Sequence, residues 1–311
     1  MGRHNQKKSK KKKWVISLLS ILGILLLSIG GYAFYLYNSL GKTVDSMHTA
    51  IDREKSQKRT DEVVFSNKDP FSVLLMGVDK RKGDKGRADS LIVLTVNPNT
   101  KSIQMVSIPR DTRTEIVGKG KQDKINHSYA FGGVEMTMNT VEHFLDIPID
   151  YFIQVNMESF KDIVDAVGGV TVNNKFTFNY EGYTFNEGQL KLNGTKALAY
   201  SRMRYDDPRG DFGRQERQRQ IIQAVIKQGA SLSTITKVDD ILGALGNNVQ
   251  TNLTFDQMLE IQKNYREAAG QLEQSQISGS GTKIDGVYYF MVPEEERSAL
   301  STKLKQHLEL Q

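Results

Sequence analysis

An α/β or α+β domain with a central sheet flanked by helices, carried behind one membrane-spanning helix, is what this 311-residue sequence predicts. Three observations lead there. Trp14 to Tyr37 contains no charged side chain; as a helix rising 1.5 Å per residue it would cross a ~30 Å hydrocarbon layer. Short apolar runs bounded by turn residues then read as buried strands, and between and after them lie segments with helical periodicity.

Residues 1–13 form a basic tail, with Arg3, Lys7, Lys8, Lys10, Lys11, Lys12 and Lys13. That flank belongs in the cytoplasm, so the rest of the chain lies outside the cell. Trp14 at one end of the 14–37 span and Tyr32, Tyr35 and Tyr37 at the other fit interfacial aromatic belts. The run is long for a cleaved signal peptide and Ser28-Ile29-Gly30 is a poor cleavage site, so the span reads as an uncleaved signal anchor. Residues 38–68 are polar and charge-mixed and read as a linker or stalk. Asp69-Pro70 opens the domain, residues 69–311.

Within it, Phe71–Gly77, Asp89–Asn97 and Ser102–Ile108 read as strands, the last two joined at the Asn97-Pro-Asn-Thr100 turn. Val134, Met138, Val141 and Leu145 share one face of a helix over 133–145. A strand at 151–155, a helix over 159–167 stopped by Gly168-Gly169, and a strand at 170–172 follow. Residues 173–189 are aromatic and glycine-containing, a hairpin or loop. Asn193 caps the next helix. Further helices fall at about 211–229, 235–247 and 254–268, then a strand at 286–292 and a helix from Pro293.

The formal charge of +6 is local. Without the seven tail cations, 35 of the 42 basic residues remain against 36 acidic ones. The body of the chain is therefore not a nucleic-acid binder, and the tail reads as an orientation and anionic-lipid signal. With no cysteine, the exported domain relies on its core. No repeat, Walker A motif or dinucleotide fingerprint is present.

The stretch Ser201–Gln220 carries six arginines, at 202, 204, 209, 214, 217 and 219, with Asp206, Asp207 and Asp211. Arginine grips phosphate or carboxylate through a planar, permanently charged fork. In the helix after Asp211, Arg214 and Gln218 share the stripe of Ile221, Ile222, Val225 and Ile226, whereas Glu216, Gln220, Gln223 and Lys227 fall opposite. An inward arginine needs an anion, either Asp211 or a ligand at the helix N-terminus. Arg202, one turn beyond Leu198, is expected to face inward too. Asp79 and Asp89 flank the basic loop 80–88; they would share a Mg²⁺ ion or simply cap strands and pair with Arg81 and Arg87. Arg110, with Arg113 a weaker candidate, sits at a strand end where ligands of α/β sheets collect. Asp111 would orient Arg110, Lys124 offers another phosphate contact, and His127 reads as a capping or packing residue. Arg209, Arg217 and Arg219 read as solvated.

The segments MGVD (76–79), GRADS (86–90), SIPRD (107–111), DKINHSYAFGG (123–133), LNGTKALAYSRMR (192–204) and DPRGDFGRQERQRQ (207–220) together resemble the LytR-CpsA-Psr family, closest to its teichoic-acid transferase branch. The resemblance implies an α/β/α sandwich that also encloses a lipid-tail pocket. It implies a membrane-anchored phosphotransferase that moves a glycopolymer from undecaprenyl diphosphate to the C6 hydroxyl of peptidoglycan N-acetylmuramic acid. Asp79 and Asp89 would hold Mg²⁺ or Mn²⁺. Arg87, Arg110, Arg202, Arg204, Arg214 and Gln218 would hold the diphosphate, supported by Lys124 and Asp211. Asp89, Arg110 and Arg214 would carry the chemistry. A non-enzymatic envelope regulator that binds prenyl phosphates, or a lipid-carrier pyrophosphatase, are the rival readings, and the oligomeric state stays open.

Overall fold

β1 (Phe71–Asp79), β2 (Arg87–Asn97) and β3 (Ser102–Ile108) form an antiparallel meander at the centre of the sheet. β6 (Tyr151–Val155) adds parallel to β1, β11 (Val249–Thr251) antiparallel to β6, and β12 (Gln271–Gln276) parallel to β3. The mixed six-stranded sheet thus runs β11-β6-β1-β2-β3-β12. This computed structural model describes residues 41–53, 55–79, 86–230 and 249–310. Among them no helix is long and apolar enough to cross a membrane; the expected span 14–37 and the expected helix over 235–247 lie outside the described residues.

Strand alternation sends successive side chains to opposite faces, and helices cover both. Leu74, Met76, Leu91, Val93 and Val106 pack on one face with Met138, Val141 and Phe144 of α2 (His127–Leu145) and Leu300 and Leu304 of α7 (Glu294–His307). Phe71, Val73, Ile92, Leu94 and Met105 pack on the other. Their partners are Ile222 and Ile226 of α5 (Asp211–Gly229) and Met258 and Ile261 of α6 (Phe255–Asn264). Burying each such side chain contributes about 1.5–3 kcal/mol. A third cluster joins α3 (Met157–Ala166), β7 (Val170–Asn174), the hairpin β8–β9 (Phe178–Tyr180, Tyr183–Phe185), β10 (Gly188–Leu192) and α4 (Gly194–Arg202). Two further hairpins, β4–β5 (Arg113–Ile116, Lys121–Lys124) and β13–β14 (Ser280–Ile284, Val287–Met291), stand beside the meander.

Several boundaries differ from the sequence expectation. α2 starts at His127, six residues before Gly133, because a helical turn over 127–131 is joined to the main helix through non-helical dihedrals at Gly132 and Gly133. Periodicity shows only the longer part. The short strands β4, β5, β10, β11 and β12 are polar or three to six residues long, so neither alternation nor apolar runs mark them. Residues 41–68, expected as a stalk, pack on the domain over their described part. Residues 41–47 are helical (α1), and Val44, Met47, Ser56 and Phe65 are buried. Arg53 pairs with Glu142, and Arg59 forks onto Asp150 while donating to the Pro70 carbonyl. The domain therefore begins well before Asp69-Pro70. The sequence missed this because the anchoring contacts are ion pairs across about ninety residues.

His307, near the end of α7, is 8% exposed, and its ring nitrogens lie 2.8 Å from Thr95 Oγ1 and 2.9 Å from Ser102 Oγ. Burial holds its pKa below the ordinary 6.5, with Lys303 adding and Glu273 and Glu309 opposing. The unfolded chain thus takes up a proton near 6.5 that the native state refuses until lower pH. Stability carried by neutral His307 is present above that value and lost as pH falls through the window beneath it. Urea denaturation of the wild type is expected to show this decline below about pH 6.5, and His307→Gln to lose that component.

Candidate functional site

The site starts from an irregularity in the sheet. On β1, Gly77 pairs with Ser90 and Val78 with Ala88, so Asp89 is an extra residue on β2 without a ladder partner. Such bulges re-aim side chains beside functional sites. Here Asp89 keeps an accessible carboxylate, 42% exposed, that accepts from Arg110 Nη1 at 2.8 Å. Its backbone carbonyl lies 3.5 Å from Arg214 Nη2. Asp79, at the end of β1, pairs through its backbone with Arg87, whose side chain is exposed. Most of the basic loop, residues 80–85, lies outside the described residues.

Arg110 follows Ile108-Pro109 at the end of β3 and leans on Asp111, 3.8 Å away; Asp111 in turn receives Lys124 Nζ at 2.7 Å. From the other side comes α5. Its Arg214 pairs with Asp211 at 2.8 Å, and Asp211 also accepts from Gln215 at 2.9 Å and lies 4.0 Å from Arg204. Gln218, one turn on, accepts from Ser90 Oγ at 3.2 Å. Asp89, Ser90, Ser107, Arg110, Arg214, Gln215 and Gln218 line one tight cleft. At its floor Ser107 Oγ and Gln215 Oε1 are buried without a hydrogen-bond partner. Buried polar atoms are nearly always satisfied; Gln215 Oε1 can only accept a hydrogen bond, whereas the Ser107 hydroxyl can donate or accept one. A larger cleft at the opposite end of the sheet, beside Arg53, Arg59 and Asp150, has those arginines committed to carboxylates.

The charges are mutually supported. Burial works against the Arg110 cation, yet Asp89, Asp211 and Asp111 outweigh it and raise its pKa. Burial likewise pushes Asp211 upward, but Arg214, the Gln215 amide, Arg110 and Arg204 hold it below the ordinary carboxylate value. Four cations, Arg110, Lys124, Arg204 and Arg214, thus face Asp89, Asp111 and Asp211. A surface of this kind can exchange its carboxylate partners for the oxygens of another anion.

Two expectations are corrected. Arg202 turns outward and pairs with Glu181 at 3.2 Å; α4 buries Ala197, Ala199 and Tyr200 rather than Leu198, so the phase taken from Leu198 was off by one residue. Arg217 and Arg219 are buried, 3% and 4% exposed, not solvated. Arg217 binds Asp207 at 2.6 Å and the Tyr200 carbonyl at 3.1 Å, donates to the Met203 carbonyl, and lies over Phe178. Gly213 makes this possible, because a Cβ there would stand 1.8 Å from Asp207 Oδ2. Arg219 reaches Gln274 at 3.2 Å and leaves Nη1 without a partner; burial lowers its pKa. Apolar spacing could not reveal either, since both fit beside α5 only once α4 and β12 are in place. Arg209 is exposed and pairs with Asp207 and Glu216. His127 lies 2.9 Å from Asp123, at the start of α2. Arg113 points away from the cleft, toward Tyr289.

A mixed sheet covered by helices on both faces, with an arginine-lined cleft at one end, is the setting of the family resemblance: the chain belongs to the LytR_cpsA_psr family, whose model matches residues 34–306. It is 56% identical over 305 residues to the polyisoprenyl-teichoic acid–peptidoglycan teichoic acid transferase TagU of Bacillus subtilis strain 168, spanning 98% of this chain and 99% of that protein. The crystal structure of B. subtilis TagU superposes with a TM-score of 0.64 at 56% identity, covering 78% of this chain and 99% of that one. TagT bound to LI-WTA superposes with a TM-score of 0.73 at 31% identity, covering 85% and 100%.

Arg214 and Arg217, two of the inward-facing arginines of α5, are expected to separate cleanly. Arg217→Ala removes the donor from the Tyr200 and Met203 carbonyls and leaves Asp207 held by Arg209 alone, and should cost about 1–3 kcal/mol of stability for each buried acceptor left unmade, read by urea denaturation. Arg214→Ala should lower the midpoint by less, because Asp211 keeps Gln215 and contact with solvent.

Proposed function

We propose that the chain is a single-pass cell-membrane enzyme, N-terminus inside and domain outside. It moves an anionic glycopolymer, a wall teichoic acid, from undecaprenyl diphosphate to the C6 hydroxyl of N-acetylmuramic acid in peptidoglycan. The observation that carries this reading is the convergence of Arg110 and Arg214 on one cleft around the bulged Asp89, with Arg204 and Lys124 behind them on Asp211 and Asp111. The transferase names of close relatives support it. The lipid substrate is confined to the bilayer in which residues 14–37 would anchor the enzyme.

In the transfer, the acceptor oxygen forms a bond to the polymer-side phosphorus and the phosphoanhydride P–O bond breaks. Undecaprenyl phosphate departs with the electron pair, and the acceptor proton passes to a base. Arg110 and Arg214, with Arg204 and Lys124 behind them, neutralise charge on the phosphate oxygens; placement and electrostatics dominate such reactions. Gln218 donates its amide to the same group, and Arg87 reaches it from the mouth of the loop. Asp89, whose Oδ1 accepts from Arg110, is our choice of base only where it does not ligate a cation, since a metal-bound carboxylate is a poor base.

The donor set also suits a hard divalent cation. Asp89 offers an accessible carboxylate on a re-aimed backbone, and the second carboxylate, Asp79, belongs to the facing strand end. One or two carboxylates with phosphate oxygens is the usual Mg²⁺ arrangement, which Mn²⁺ shares. When bound, the cation would neutralise diphosphate charge.

Purified full-length protein in detergent or vesicles, given prenyl-diphosphate glycopolymer and nascent peptidoglycan, is expected to form conjugate. Arg110→Ala or Arg214→Ala should reduce the rate by roughly 10²–10³ while the domain stays folded. Undiminished transfer in either variant would remove the clamp from the mechanism, and release of unattached polymer would favour hydrolysis of the carrier instead. Transfer is expected to stop in excess EDTA and return with Mg²⁺; unaffected transfer would count against Asp79 and Asp89 as metal ligands.

A further inference from the structure

Beyond the diphosphate cleft, the same ladder of charges continues outward. Asp111, which steadies Arg110, receives Lys124 at 2.7 Å. Lys124 pairs directly across the β4–β5 hairpin with Arg113, so both side chains leave the same face. That face looks at β14: the Tyr289 ring centroid lies 5.8 Å from Lys124 Nζ and 6.0 Å from the Arg113 guanidinium carbon.

The ring is held firmly. Its neighbour Phe290 donates its backbone N–H to the Asp111 carbonyl at 2.9 Å, bridges to Thr112, and is buried edge-on against Phe212 of α5. Tyr289 therefore faces outward from a pinned strand whose inner residue touches the helix that carries Arg214. Among the described residues no carboxylate pairs with Arg113, although it is only partly exposed. Among the described residues no ion pair or side-chain hydrogen bond engages the Arg113 guanidinium, which lies over the Tyr289 ring and presents a fork suited to phosphate. A tyrosine between two cations adds a flat apolar face with a polar tip.

We infer that Arg113 and Tyr289 form an outer subsite for the first phosphodiester-linked saccharide or polyol repeat of the anionic polymer, next to the diphosphate clamp. Arg113 takes the phosphodiester and Tyr289 stacks on the apolar face of the repeat. This rests on the transferase reading for its direction, but not for its test. Unlike the clamp, the subsite discriminates by what the lipid carries: a donor with a short neutral glycan meets Arg110 and Arg214 yet has no phosphate for Arg113.

The experiment compares wild type, Arg113→Gln and Tyr289→Leu, as full-length protein in detergent micelles, for binding to three probes. These are a lipid-free polyol-phosphate oligomer, a prenyl diphosphate carrying the same oligomer, and a prenyl diphosphate carrying an uncharged disaccharide. Both variants are expected to weaken binding of the two phosphodiester-bearing probes by roughly tenfold, with the disaccharide donor unchanged. For Arg113→Gln the difference should shrink as salt is raised. Equal weakening of all three probes would place Arg113 in the general electrostatics of the clamp and overturn the subsite. So would unchanged binding of all three, or a raised KM for the peptidoglycan acceptor with donor binding intact. A wild type that binds the lipid-free oligomer through Arg113 yet transfers nothing would sink the transferase reading and leave the subsite standing. A wild type that transfers but shows no preference for phosphodiester-bearing probes would do the reverse.

Discussion

The structure depends on a problem of charge: several guanidinium groups must be held half-buried around one point without being driven apart. Asp89, Asp111 and Asp211 solve it. Asp111 is shared between Arg110 and Lys124, Asp211 between Arg214 and, at longer range, Arg204, and Asp89 holds Arg110. Carboxylates in this role keep the arginines in place at modest cost, because no charge is buried alone. They are also exchangeable, since a phosphate oxygen makes the same kind of bond. A clamp assembled this way is preorganised, which is the condition under which electrostatic catalysis is strongest.

Everything around the cleft serves that arrangement. The bulge at Asp89 turns a strand residue out of the ladder and toward Arg110. Pro109 ends β3 and starts the turn that carries Arg110 and Asp111. On the helical side, Arg217 does not touch the cleft; it ties the end of α4 to α5 by holding Asp207 and the Tyr200 and Met203 carbonyls. Arg214 is aimed from the same helix three residues earlier. One arginine is spent on rigidity so that the other can be used for binding.

The strands of the meander and the inward phase of Arg214 and Gln218 were legible because burial imposes a period on apolar residues. Arg217 and Arg219 were not, because a buried arginine leaves no mark in a hydrophobic pattern; its partners are carbonyls and an aspartate that fold back from elsewhere. Arg202 was misplaced for a related reason. α4 packs through alanines and a tyrosine, and the leucine used to set the phase is only half-buried. Residues 41–68 looked like a stalk by composition, yet Arg53 and Arg59 find Glu142 and Asp150 far along the chain.

By itself the sequence determined what this protein handles: a local, arginine-rich answer to a phosphate, on a domain of otherwise balanced charge behind an apolar span. Composition and spacing carry that information because fixed charge and hydrophobic period are properties of the residues. Only the tertiary structure decided which arginines face the cleft and which brace the fold, and that Arg113 turns to Tyr289. Those outcomes depend on pairings between strands and helices distant in the chain, where a single bulge or a single glycine redirects a side chain.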